Sequence, residues 1–156
     1  MKNFPKIILS LGYAGLTPKC PGTAGSLATT VFLILLSLLM PDSFWLRVIV
    51  LAGLFVIVFW LSIYLIEKYI SGNYDQQWIV IDEFLGMLLA AGSVFVLNLN
   101  LDWYFSALIL FRFFDILKPL GLSKINKINK PFAVVIDDII AGVYSFIVLF
   151  AIFYST

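Results

Sequence analysis

Five apolar runs separated by short polar breaks govern what this chain can become: about 27–40, 46–66, 79–97, 103–117 and 134–154. A membrane-spanning helix needs roughly 17–25 mostly apolar residues. The first and fourth runs are short, so polar residues at their ends would supply the missing turns. Pro41-Asp42 stops the first run and Pro119 the fourth, because proline cannot continue a helix. Trp45, Trp78 and Trp103 stand at run ends, where indoles anchor at an interface. The chain is 62% hydrophobic and 12% charged, where soluble domains have about 45–50% and 25%. The expected fold class is an all-α integral membrane protein, a compact bundle of about five transmembrane helices. Its 156 residues suit a single membrane-embedded domain.

Residues 1–26 read differently. The apolar piece 7–11 is short and runs into Gly12-Tyr13-Ala14-Gly15, which is no cleavable signal. The glycines and prolines of 15–26 argue against a regular lipid-facing helix. A loop or re-entrant segment is expected, followed by a helix that starts near Thr23 or Ser26, either of which would cap it. A single cysteine excludes an intrachain disulfide. The absence of histidine removes histidine nucleophiles, bases and metal sites together. A net charge of +1 gives no global field for nucleic acid.

Threading the runs back and forth sorts the charges. Residues 1–26, 67–78 and 112–138 fall on one side, and 41–46, 98–102 and the C-terminus on the other. Nine of ten basic residues lie on the first side (Lys2, Lys6, Lys19, Lys68, Arg112, Lys118, Lys124, Lys127 and Lys130), and only Arg47 is opposite. By the positive-inside rule the first side is cytoplasmic. The same threading brings Asp75, Asp82, Glu83, Asp115, Asp137 and Asp138 to that end.

Charge inside an apolar run costs roughly 2.5–3.5 kcal/mol per residue at a lipid-exposed helix centre, so such residues usually face a polar cavity. Asp82-Glu83 and Asp137-Asp138 have matching flanks, Val80-Ile81 with Phe84-Leu85 and Val135-Ile136 with Ile139-Ile140. Each pair sits about one turn into its run, and Gly86 and Gly142 follow as points of close helix approach. The bland alternative is acid favoured by a helix N-terminus, which accounts for one pair more readily than for two at matched depth. Clustered carboxylates need protons or a cation. Hard oxygen donors select Mg²⁺, with Mn²⁺ or Ca²⁺ behind it.

Arg112, Asp115 and Lys118, spaced by three, put cation, carboxylate and cation on one helix face. An ordinary ion pair with a snorkelling lysine competes with phosphate binding by the arginine fork and the lysine charge. Pro21-Gly-Thr-Ala-Gly-Ser26, with Lys19 beside it, would offer backbone N–H groups to phosphate at a helix start. An ordinary turn is the competing reading. It is not a P-loop, lacking the lysine, and Cys20 lacks the arginine of a cysteine phosphatase. Lys124, Lys127 and Lys130, with Ile125 and Ile128 between, form a short cytoplasmic amphipathic segment for anionic headgroups or a plain solvated loop.

In these residues the chain resembles the phosphatidylglycerophosphatase A family of bacterial membrane lipid phosphatases. The resemblance runs in order through 15–27, Asp75 with 79–87, 111–119 and 137–142. It departs at Gly121, where a second proline is expected, and at Lys130-Pro-Phe-Ala133, where a glycine-rich run is expected. It implies Mg²⁺-dependent hydrolysis of phosphatidylglycerophosphate to phosphatidylglycerol and phosphate at the bacterial inner membrane, on the cytoplasmic face. Asp82, Glu83, Asp115, Asp137 and Asp138 would form the catalytic set. Asp82, Glu83, Asp137 and Asp138, with Asp115 as a further candidate, would hold metal. Arg112, Lys118, Lys19, Thr23 and Ser26 would bind the substrate phosphate. A cation-coupled transporter is the alternative for intramembrane carboxylates. The Asp-x-x-Asp-Gly pattern of CDP-alcohol phosphotransferases is absent.

Overall fold

The computed structural model describes residues 3–74, 76–118 and 130–155. Among the described residues, seven α-helices and one 3₁₀ turn make up the regular structure, with no strand. They are α1 (Asn3–Leu9), α2 (Pro21–Leu39), α3 (Phe44–Tyr69), α4 (Ile81–Ala90), α5 (Gly92–Val96), α6 (Leu101–Leu117) and α7 (Pro131–Ser155), with the 3₁₀ turn at Ala14–Leu16. Three are long and apolar enough to cross a membrane: α2, α3 and α7.

The segment 15–26 departs from expectation. The helix begins at Pro21, with Cys20 in the N-cap place, so neither Thr23 nor Ser26 caps it. Proline at the first helical position loses no hydrogen bond and presets φ. The glycines are tolerated because this stretch faces protein. A Cβ on Gly25 would sit 2.8 Å from the Val80 Cβ, so that face of α2 lies against the chain leading into α4. Ahead of α2 the chain forms α1 and the 3₁₀ turn, and Val80 N–H donates to the Leu9 carbonyl at 2.9 Å, tying α1 to the start of α4.

The third apolar run is broken. Ala91 leaves helical geometry at φ −94°, ψ 6°, dividing the run into α4 and α5. α4 is the centre of the bundle: nine of its ten residues are buried, Leu85, Met87 and Leu88 completely. It packs on α2, α3, α6 and α7. Lipid tails are as apolar as leucine, so close packing must hold such a helix in place. Gly86 and Gly142 let α4 and α7 approach. A Cβ on Gly142 would lie 3.0 Å from the Gly86 Cα, and one on Gly86 would lie 2.6 Å from the Asp138 carbonyl oxygen.

The far end is closed by Arg47, which is 1% exposed and has no carboxylate partner among the described residues. It donates to the carbonyls of Ser37 (3.1 Å), Pro41 (3.2 Å) and Phe95 (2.8 Å), and its guanidinium stacks over the Phe95 ring. These carbonyls lie at or just past the C-terminal ends of α2 and α5, where the helix dipole is negative. The lone basic residue expected on that side is therefore a staple between two helix ends. Asp75, Lys124 and Lys127, and with them most of the expected amphipathic segment, lie outside the described residues.

Candidate functional site

The opposite end of the bundle holds a polar cavity of about 460 Å³. Its walls come from five stretches that are distant in sequence: Lys19 to Thr23 at the start of α2, Gln76 to Ile79, Asp82 and Glu83 on α4, Arg112 to Lys118 on α6, and Val134 to Asp138 on α7. The N-termini of α2, α4 and α7 thus meet the C-terminus of α6. Up-and-down threading produces this juxtaposition.

The two acidic pairs converge, although they enter their helices differently. Asp82 and Glu83 stand in the first turn of α4, where the dipole favours acid. Asp137 and Asp138 lie almost two turns into α7 rather than one. All four are buried. Asp115, Asp137 and Asp138 each offer a carboxylate oxygen within 4.8 Å of the other two, and one oxygen of Asp137, Oδ1, is buried without a hydrogen-bond partner. A hard, oxygen-only donor set with an unsatisfied lone pair fits a divalent cation such as Mg²⁺. Of the acids expected from sequence, Asp137 and Asp138 with the further candidate Asp115 form this cluster, and Asp82 and Glu83 stand outside it.

Glu83 is occupied otherwise. Arg112 Nη1 lies 2.5 Å from Glu83 Oε2 and 2.9 Å from Asp115 Oδ2. Ser26 Oγ lies 2.7 Å from the same Glu83 oxygen and 2.9 Å from the Gly22 carbonyl. Gly22 runs close beside this group, since a Cβ there would come within 3.1 Å of Arg112 Nη1. Asp82 Oδ1 accepts the Glu83 backbone N–H at 3.0 Å and has no ion pair among the described residues.

Lys118 ends α6 in the left-handed region, at φ 43°, and its ammonium pairs with Asp137. Burial works against this ammonium. The hydrogen bond and charge of Asp137, with the charges of Asp115 and Asp138, outweigh burial and hold its pKa above the ordinary lysine value. It is a fixed positive charge at neutral pH.

Of the expected phosphate-binding residues, Lys19, Thr23, Arg112 and Lys118 line the cavity. Ser26 does not. It lies one turn deeper in α2 and is completely buried, because its hydroxyl points at Glu83 instead of the open space. Sequence reading missed Gln76 and Gln77, which reach the cavity from the loop before α4. Only their place just ahead of the third apolar run hinted at this. It also missed Gly22 as a point of contact with the acids.

The model of the family described as Phosphatidylglycerophosphatase A matches residues 7–153. Phosphatidylglycerophosphatase A of Haemophilus influenzae is 38% identical over 155 residues, covering 96% of this chain and 90% of that protein. A Bacteroides thetaiotaomicron protein provisionally named a phosphatidylinositol-3-phosphatase is 35% identical, covering 94% and 92%. Phosphatidylglycerophosphatase A of Escherichia coli is 32% identical, covering 95% and 83%. No solved structure matches the chain. The transporter alternative draws no support from these relatives. With a match across nearly its whole length, the chain belongs to the phosphatidylglycerophosphatase A family and is a phosphatase.

Proposed function

We propose that this protein removes the terminal phosphate of phosphatidylglycerophosphate, releasing phosphatidylglycerol and inorganic phosphate, with Mg²⁺ as cofactor. The observation that carries this reading is the cluster of Asp115, Asp137 and Asp138 in one cavity with Arg112 and Lys118. Phosphoryl transfer asks for little covalent work from a protein; it asks for position and charge. Asp115, Asp137 and Asp138 would hold the metal. When bound, the ion would supply charge against the phosphoryl oxygens and acidify a water.

The protein's own groups do the rest. Arg112 and Lys118 take the phosphomonoester, and Lys19 and Thr23 complete the grip at the rim. Arg112 Nε is buried without an acceptor, and a phosphoryl oxygen would provide one. Asp82, with no cation of its own, is placed to accept a proton from the attacking water. Water, not a protein nucleophile, is the attacking group in this reading.

The same reading places the chain in the bacterial cytoplasmic membrane, with α2, α3, α4 with α5, α6 and α7 as five crossings. α6 has only 17 residues and α4 only 10, yet α4 is wrapped by its neighbours and need not match the lipid alone. The cavity would face the cytoplasm, where the basic residues gather, at the depth of the lipid headgroup.

The test is phosphate release from phosphatidylglycerophosphate in detergent, with and without Mg²⁺, beside phosphatidylinositol-3-phosphate as the competing substrate. Release from the first, dependent on Mg²⁺ and lost in Asp138→Ala, is expected. No release by the parent protein with any divalent ion would overturn the reading, and preference for the second lipid would reassign the substrate.

A further inference from the structure

The acids around the cavity do not form one equivalent set. Asp115, Asp137 and Asp138 share a cluster. Glu83 is committed elsewhere: Oε2 meets both the Arg112 guanidinium and the Ser26 hydroxyl. Its other oxygen, Oε1, fills the space that a Cβ on Gly22 would need. A metal ligand needs lone pairs aimed at an ion shared with the other ligands, and those of Glu83 Oε2 are engaged by α2 and α6.

Ser26 is equally constrained. It is completely buried and stands apart from the cavity wall, so it cannot touch a phosphate held there. Yet Arg112 Nη1 lies 3.4 Å from its oxygen. Arg112 is thus held from three directions: by Glu83 on α4, by Ser26 on α2 and by Asp115 one turn along its own helix.

We propose that Ser26 and Glu83 form a positioning pair that sets the Arg112 guanidinium for a phosphoryl group, and that neither binds metal or substrate. The proposal rests on the phosphatase reading above. It explains why a hydroxyl on α2 is buried beneath the cavity, against the cavity-wall carboxylate of Glu83. A long, flexible arginine left alone would sample many rotamers. Held at its tip by two helices, it meets the phosphate with its geometry already set.

The experiment is calorimetric titration of the full-length protein in detergent with two probes, Mn²⁺ and inorganic phosphate. Ser26→Ala removes a hydroxyl bonded to the Glu83 carboxylate and, acting on phosphate only through Arg112, should weaken phosphate binding roughly 2–13-fold. Glu83→Gln removes the charged partner and should weaken it roughly 10–150-fold. Both should keep the Mn²⁺ affinity within about twofold, whereas Asp138→Asn should lose it. The double variant should bind phosphate no more weakly than Glu83→Gln, since the short bond of the serine, 2.7 Å, is to the glutamate and its approach to Arg112, 3.4 Å, is long. If Glu83→Gln does not give a monodisperse protein, the same cycle is run on an Arg112→Ala background, where Ser26→Ala should have no further effect.

Loss of Mn²⁺ binding in Glu83→Gln to the extent seen in Asp138→Asn would make Glu83 a ligand and overturn the proposal. Unchanged phosphate binding in Ser26→Ala, additive losses in the cycle, or a parent that binds no phosphate would also overturn it. A parent that binds both probes but releases no phosphate from the lipid would defeat the phosphatase reading, and the binding cycle would still decide the role of the pair.

Discussion

Gly86 of α4 and Gly142 of α7 meet backbone to backbone, with room for no side chain at either position. Each follows its acidic pair by three or four residues, so the contact that lets the helices touch also sets the two pairs at one depth. Gly142→Ala should lower stability by about 1–3 kcal/mol through overpacking. Gly53→Ala, on α3 where an added Cβ meets nothing within 4 Å, should be neutral or gain up to about 1 kcal/mol in helix propensity. Thermal unfolding of both variants in one detergent measures the contrast. Equal behaviour would remove the tight crossing from the account.

Arg47 supports stability at the end remote from the cavity. Arg47→Met keeps most of the packing volume and removes the guanidinium donor shared by the carbonyls of Ser37, Pro41 and Phe95. A loss of about 1.5–3 kcal/mol is expected, the usual range for hydrogen bonds to a charged group. Mn²⁺ affinity of the folded fraction should not change. A variant with normal melting behaviour would show that these carbonyls find other partners.

Lys118 neutralises Asp137 and also faces the cavity. Lys118→Met should therefore harm substrate binding. A fall in kcat/KM of roughly 10–150-fold is expected, equivalent to one charged hydrogen bond. Steady-state kinetics check it, and a change below twofold would leave the lysine as a helix terminator only.

Asp82 and Asp138 should separate by readout. Asp138→Asn should lose both turnover and Mn²⁺ binding. Asp82→Asn should lower kcat by about 100-fold or more, as removal of a general base does, with the ion still bound. Chelation of divalent ions should silence the parent and be reversed by added Mg²⁺. Turnover that survives chelation would take the metal out of the mechanism.

The helical class was legible before any coordinates, because apolar runs of near-span length admit little but helices. The convergence of Asp82-Glu83 with Asp137-Asp138 was legible too, because alternating helices must return every second end to the same place. What the chain alone could not divide was the labour among those acids. Arg112 and Ser26 lie 86 residues apart, and Ser26 and Glu83 lie 57 apart. No local periodicity records contacts at such separations.

Only the packed structure decided that Glu83 is bound to an arginine, that Asp115 joins the α7 pair, and that Ser26 points inward. The physical reason is rotational. Composition and spacing place a residue along a helix, but the turn of that helix about its axis is set by what it packs against. Here Gly22 leaves room for the Glu83 carboxylate and the Arg112 guanidinium, and Gly86 and Gly142 bring two backbones together, so packing fixes which oxygen meets which cation. Depth in the bundle was written in the sequence, and direction came from the neighbours.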